Sequence, residues 1–329
     1  MGQGVSTAEL RLVSWNLHGA PFSKERGQRF ERAGRAIREL MPDVVILQEV
    51  WSPGDARRIF AALGPGYEPA REPRGWFLIR RSGLLGLVRP GGGWRLHASQ
   101  FFEFETEASD LKFWEGDGIG NKGVQRIILQ RGELQVSVLN THLQAEYENT
   151  NYEAIRADQV RELEEFAQTI ARTSPVLVAG DLNTRPDERL YQKILLSWRD
   201  LTASTRQSCA CGTYLMGDGS DGDWIDYILA RKDPAWHIRA TSVKLLRSTA
   251  PDYPYSDHQG LLATIEITPS RATSFLPPLW ALAFGDPSRR MVRHTCLMAL
   301  ALGLLGEGLG LRPGDPEAAQ RDAFESSFK

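Results

Sequence analysis

Residues 44–47 (Val-Val-Ile-Leu) and 176–179 (Val-Leu-Val-Ala) are short runs without a polar side chain. Pro42-Asp43 precedes the first and Ser174-Pro175 the second. Short, unbroken apolar runs between such breakers read as strands buried on both faces, and these need a covering layer above and below. Helical spacing supplies candidates for those layers. Phe30, Ala33, Ile37 and Leu40 recur at that spacing before the first run, and Ile155, Val160, Leu163, Phe166 and Ile170 before the second. Further strand-like segments fall at residues 10–16, 124–130, 134–141, 225–230 and 261–267. The pair 124–130 and 134–141 is joined through Arg131-Gly132 as a hairpin. This mixture predicts a layered α/β protein with two sheets packed together and helices outside.

The chain has 329 residues, 42% of them hydrophobic and 24% charged, ample for a large core without help from a metal or a disulfide. Its three cysteines, Cys209, Cys211 and Cys296, lack the second pair of a zinc site and are expected as free thiols of a reducing compartment. A net charge of −2 gives no general basic surface of the kind that grips a nucleic-acid backbone. Residues 1–10 lack the basic start and apolar stretch of a secretory leader, so a cytoplasmic protein is expected. Composition shifts near Thr268, which divides a catalytic domain, 1–268, from a tail, 269–329. The tail holds a basic segment, 289–294, and an apolar run, 296–305, too short to span a bilayer, which takes about 20 residues. It is expected to be helical, lying on an anionic membrane surface or packed back on the domain.

Chemistry gathers in five short segments at strand ends: Ser14-Trp15-Asn16, Leu47-Gln48-Glu49-Val50-Trp51, Asn140-Thr141-His142-Leu143, Gly180-Asp181-Leu182-Asn183 and Ser256-Asp257-His258. Strand ends are where α/β sheets place their ligands. Asn16 and Glu49 offer hard oxygen ligands, and a carboxylate with water in the remaining positions suits Mg²⁺. Asp181 and Asn183, two apart, can hold a water and steady a phosphoryl oxygen, although an Asx turn accounts for the same pattern. His258, with an ordinary pKa of about 6.5, can take a proton from water near neutrality, and Asp226 is the candidate carboxylate to fix its tautomer. His142 can donate to the phosphate or the leaving oxygen. No Gly-Lys-Ser/Thr phosphate loop, Gly-x-Ser-x-Gly elbow or His-Glu-x-x-His helix occurs.

In this order the five segments resemble the endonuclease/exonuclease/phosphatase superfamily, over residues 10–267. The resemblance implies a four-layer α/β sandwich of two mixed β-sheets packed face to face, and hydrolysis of phosphoesters. It implies Glu49 as main Mg²⁺ ligand (Mn²⁺ as substitute), with Asn16 beside it and Asp257 as a metal-side carboxylate. His258 then matches the general base, Asp226 its partner, His142 the second catalytic histidine, and Asp181 with Asn183 the pair that positions water and phosphate. Within the superfamily, Glu49-Val50-Trp51 and His142-Leu143-Gln144-Ala145-Glu146-Tyr147 are similar to neutral sphingomyelinase motifs, Gln144 standing where those have His. Asp117 and Lys122, followed by Gly123, match a sphingomyelinase Asp…Lys pair, and Tyr147 joins Asn183, His142 and Lys122 as an expected substrate contact. Asp223-Trp224-Ile225-Asp226 replaces the Trp-Cys-Asp-Arg of inositol polyphosphate 5-phosphatases. The expected reaction is release of phosphocholine from a phospholipid at a membrane surface, with no obligatory nucleic acid and no protein partner. A nuclease or DNA-end-repair phosphodiesterase would use the same residues, and a scaffold without activity would need none of them.

Overall fold

The computed structural model describes residues 7–20, 23–70, 82–106, 122–146, 152–171, 174–209, 211–216, 219–247 and 255–270. The chain starts with β1 (Ala8–Asn16), crosses through α1 (Arg26–Leu40), and returns as β2 (Val44–Gln48), parallel to β1. α1 stops where Met41 turns left-handed ahead of Pro42, which cannot continue a helix. α2 (Pro53–Leu63) begins at a cap, the Ser52 hydroxyl accepting the Asp55 N–H at 3.0 Å, with proline in its first turn.

The other strands are β3 (Glu68–Ala70), β4 (Leu85–Val88), β5 (Arg95–Glu103), β6 (Gly123–Arg131), β7 (Leu134–His142), β8 (Val176–Asp181), β9 (Trp198–Asp200), β10 (Asp226–Arg231), β11 (Trp236–Leu246) and β12 (Gly260–Pro269). The remaining helices are α3 (Glu153–Ala171), α4 (Arg189–Ser197) and α5 (Ala203–Ser208). The described strands form two six-stranded sheets, ordered β11-β12-β1-β2-β4-β3 and β5-β6-β7-β8-β10-β9. Each is mixed: β1–β2 and β7–β8 run parallel, and every other pairing is antiparallel. Each parallel pair is bridged by a helix, α1 or α3, as parallel strands require.

The expected sandwich is therefore what forms. Leu10, Leu12, Val44 and Ile46 join the core between the sheets, which also holds Val136, Val138, Leu177 and Ala179. Their neighbours Val13, Trp15, Val45 and Leu47 point the other way and pack on Phe30, Ala33 and Ile37 of α1, the face the helical spacing marked. Each fully buried aliphatic or aromatic side chain here is worth about 1.5–3 kcal/mol.

Five strands escape a sequence reading: β3, β4, β5, β9 and β11. β5 and β11 lie at sheet edges and alternate exposed with half-buried residues, so they carry no apolar run. β3 and β9 have three residues each. The free-thiol expectation fails for two cysteines, since Cys209 and Cys211 are joined in a disulfide, their Cα atoms 5.3 Å apart. The expected tail helix lies outside the described residues, among which no helix is long and apolar enough to cross a membrane.

Candidate active site

Topology alone gathers the five segments. Parallel strands end at a common edge, and antiparallel neighbours begin there. Asn16 ends β1, Glu49 follows β2, His142 ends β7 and Asp181 ends β8. Asp226 opens β10 directly opposite Asp181, and His258 stands two residues before β12, which runs antiparallel to β1. Alternation then decides which way they point. The face of β1 that buries Leu10 and Leu12 continues into Asn16, and the face of β7 that buries Val136 and Val138 continues into Asn140 and His142. The inter-sheet core thus changes at one edge from hydrocarbon to a buried polar cluster.

At its centre His258 Nδ1 lies 2.8 Å from Asp226 Oδ2, and its Nε2 lies 3.7 Å from Asp181 Oδ2. His142 Nε2 approaches the same Asp181 oxygen at 3.6 Å. All four side chains are buried. Burial works against a charged His258, but Asp226 and Asp181, helped by Asp257, lift its pKa well above 6.5. His142 goes the other way: burial, with the Lys122 charge behind it, lowers it to about 3 against the opposing pull of Asp181. Asp181 is itself raised, by burial first and by Asp226 next. One imidazole is thus basic and the other neutral, the separation of roles that acid–base chemistry needs.

Beside this cluster Asn16 Nδ2 donates to both Glu49 Oε1 and Asp181 Oδ2, each at 3.0 Å. The Asn16 oxygen accepts the His18 N–H at 3.0 Å. Asn16 therefore spaces two carboxylates in addition to its expected place beside a metal. Glu49 is raised by burial, the Asn16 hydrogen bond opposing and Asp257 reinforcing the shift. Asp257 Oδ2 is bound by His18 Nδ1 at 2.8 Å, at the rim where both side chains are partly exposed. Burial opposes ionisation of Asp257, but His18 and His258 hold its pKa below the ordinary value.

The carbonyl of Leu143 ties the remaining expected residues together. It accepts from Lys122 Nζ at 3.1 Å and from Asn183 Nδ2 at 3.0 Å. Asn183 also gives its backbone N–H to Asp181 Oδ1 at 2.9 Å, so the Asx turn and the site pair are the same feature. Lys122 is buried. Asp117 and Tyr147 lie outside the described residues.

Three residues of the site have left-handed backbone: His18 at φ 49°, Glu49 at 58° and Asn183 at 46°. For a residue other than glycine this conformation costs about 1–3 kcal/mol and persists only when the surroundings enforce it. The enforcement is visible at Gly19, where any Cβ would stand 1.8 Å from the Glu49 carbonyl oxygen. Gly180, at φ 143°, is required likewise, since a Cβ there would meet the Thr141 carbonyl at 2.0 Å.

Several supporting residues were not expected. Gln48 Nε2 donates to Asn140 Oδ1 at 2.8 Å, and Asn140 Nδ2 donates to the Leu47 carbonyl at 3.2 Å and to Gln125 Oε1 at 3.3 Å. This buried amide chain crosses from one sheet to the other next to Glu49 and His142. The Thr213 hydroxyl accepts the backbone N–H of Ile225 and Asp226, at 2.9 and 3.0 Å, and Tyr214 sets its ring edge-on to His258 at 5.5 Å. Ser256 Oγ donates to the Asn16 carbonyl at 2.6 Å, linking the first and last segments. Neighbouring motif letters were the only signal for Gln48, Asn140 and Ser256, and Thr213 and Tyr214 had none.

The donor set fits a divalent cation. The Asp257 charge adds to the cost of ionising Glu49, both side chains are half-buried, and a hard cation with its own waters would relieve that cost. Asp181, Asp226 and His258 form a second group that could hold an ion, their ligand atoms within 4.8 Å of one another. Asp226 Oδ1 is buried there without a hydrogen-bond partner.

A four-layer α/β sandwich with its polar site at the common strand edge is the class that fold and site define. Residues 13–258 match the Endonuclease/Exonuclease/phosphatase family, and the chain belongs to it. The sphingomyelinase resemblance read from the motifs is borne out among its relatives. "Sphingomyelin phosphodiesterase 2" of Rattus norvegicus is 28% identical over 281 residues, covering 78% of this chain and 64% of that protein. "Putative neutral sphingomyelinase" of Drosophila melanogaster is 25% identical over 79% of this chain and 61% of its own length. "Sphingomyelinase C" of Bacillus cereus is 25% identical, with 80% and 88% covered. The chain thus spans just under two-thirds of the length of the rat relative. Among solved structures, D. rerio TDP2 complexed with single strand DNA product superposes with a TM-score of 0.60 at 17% identity, over 78% of this chain and 99% of that one. Sphingomyelinase C from Streptomyces griseocarneus gives 0.55 at 18%, over 78% and 99%. Those two likenesses establish the shared fold.

Proposed function

We propose that the chain is a Mg²⁺-dependent phosphodiesterase that hydrolyses sphingomyelin, or a related choline phospholipid, to ceramide and phosphocholine. Mn²⁺ is the proposed substitute ion. The observation that carries the reading is the His258 ring, pinned by Asp226 through one nitrogen and facing Asp181 with the other. Relatives named as sphingomyelinases support the choice of substrate. When bound by Glu49, Asp257 and Asn16, the cation would polarise a phosphoryl oxygen and offset charge that develops there.

The chain's own groups supply the rest. Asp181 accepts a hydrogen bond from the attacking water, and His258 Nε2 takes that water's proton as the new P–O bond forms. Asp226, buried and bonded to Nδ1, keeps the ring in the tautomer with Nε2 free and stabilises the cation that results. The neutral ring of His142 and the Nζ of buried Lys122 stand where charge builds on the phosphoryl oxygens, with the Asn183 amide beside them. The P–O bond to ceramide then breaks, its oxygen takes a proton from solvent water, and His258 releases the proton it holds to solvent, which restores the starting state. Asp117 and Tyr147 are proposed to complete the substrate contacts. The proposed setting is cytoplasmic, at a membrane surface, with residues 269–329 giving peripheral contact.

A side-by-side assay tests this. The purified chain should release phosphocholine from sphingomyelin in mixed micelles with Mg²⁺, and lose that activity in excess EDTA. Faster cleavage of single-stranded DNA than of sphingomyelin or lysophosphatidylcholine would put the nuclease reading first.

A further inference from the structure

Arg29, on α1, is buried at 5% exposure, and every N–H of its guanidinium is taken. Nε donates to the Lys24 carbonyl at 2.9 Å. Nη1 donates to the carbonyls of Leu17 at 2.9 Å and Tyr255 at 3.1 Å. Nη2 donates to the His18 carbonyl at 2.8 Å and to Ser23 Oγ at 3.0 Å. All five acceptors are neutral, and Arg29 forms no ion pair with a described carboxylate. A buried cation without a paired anion is a costly way to stabilise a helix, which a leucine on the same face would do better.

The acceptors explain why a cation is there. Leu17 and His18 directly follow Asn16, and Tyr255 comes two residues before Asp257. One guanidinium therefore ties the backbone carrying the first expected cation ligand to the backbone carrying the last. Ser23 and Lys24 close the intervening loop onto the same group. Burial lowers the pKa of Arg29, and the charges that oppose this most are those of Asp257 and Glu49. Gly19, in the loop so held, packs against the Glu49 carbonyl. The clamp thus reaches all three groups expected to meet the ion.

We infer that Arg29 is a positioning residue for the cation site, holding Asn16, Glu49 and Asp257 at binding separation before an ion arrives. The inference rests on the proposed reading of Glu49 and Asp257 as ion ligands. Planar, five-donor geometry is what the task uses, so lysine, with equal charge and three donors, cannot replace it.

Arg29→Lys separates clamp from charge, read in the full chain by Mg²⁺ titration of the melting temperature without substrate. Half-maximal stabilisation should need about tenfold more Mg²⁺ or more, the range seen when groups behind metal ligands are removed. At saturating Mg²⁺ kcat should return to within a few-fold of the unmodified protein. Should Arg29→Lys fail to fold, Ser23→Ala removes one arm and should shift the same midpoint two- to threefold, an order-of-magnitude expectation for one lost hydrogen bond. Lower melting in EDTA with an unchanged Mg²⁺ midpoint would make Arg29 a structural residue only and overturn the inference. An unmodified protein whose melting ignores Mg²⁺ overturns the ion reading, and this inference with it.

Discussion

Asp226 and Asp181 face each other across the β8–β10 ladder, and His258 sits against both, 2.8 Å from the first and 3.7 Å from the second. Replacing Asp226 with asparagine keeps the shape but removes the charge that pins the tautomer and lifts the ring's pKa. As base, His258 must be neutral, so the rate should rise with pH as it loses its proton. In Asp226→Asn kcat should fall by about 10²–10⁴. The rising limb should also move to lower pH, because a departing anion makes the protonated ring less stable. A limb that stays in place in the pH–rate profile would assign it to another group.

His142 makes an opposite prediction about stability. Its pKa of about 3 in the folded chain lies below the ordinary 6.5. The unfolded chain therefore takes up a proton first as pH falls, and the stability present above 6.5 is lost at about 1.4 kcal/mol per pH unit. Urea unfolding at pH 6.5 and pH 5 should show the unmodified protein losing about 2 kcal/mol more than His142→Gln. Equal losses in both would mean that the ring charges freely in the fold.

Glu49 carries a half-buried charge whose raised pKa marks it as unfavourable in the fold at neutral pH. A carboxyl raised in this way contributes its stability below the unfolded pKa and loses it as pH rises. Glu49→Gln should therefore melt in EDTA at or above the temperature of the unmodified protein, yet gain nothing from added Mg²⁺. Phosphodiesterase activity should drop by about two orders of magnitude or more. A Mg²⁺-dependent rise in melting that survives the substitution would move the ion to Asp181, Asp226 and His258.

The amide chain Gln48–Asn140–Gln125 predicts non-additivity. Asn140→Leu strands the Nε2 of Gln48 and the Oε1 of Gln125 and should cost about 1–3 kcal/mol. Adding Gln48→Leu should cost less than it does alone, because that donor no longer needs a partner. Denaturant midpoints of the four proteins measure this. Strict additivity would mean that the two amides do not depend on each other.

What was legible in the chain follows from what each residue's neighbours are. Residues 44–47 and 176–179 could be read because central strands touch only hydrocarbon on either face, and the sequence shows that directly. Asn16, Glu49, His142, Asp181 and His258 could be read together because each ends or adjoins such a strand. β5 and β11 could not, since each is an edge strand among the described residues and its side chains answer to water. Arg29 was one more polar residue among helix spacings, and Thr213 one more loop threonine. Their importance lies in acceptors and donors that the chain brings from far away, Tyr255 for Arg29 and Asp226 for Thr213. The joined pair Cys209 and Cys211 was visible as a spacing, but the 5.3 Å approach of their Cα atoms was not.

The unusual turns at His18, Glu49 and Asn183 bear on anyone who engineers this protein for heat resistance. A search that ranks positions by local comfort would nominate these three for glycine ahead of almost any others. The resulting protein would survive hotter baths while missing a rim imidazole, a carboxylate and an amide. Selection for durability and selection for turnover therefore collide at the same three addresses.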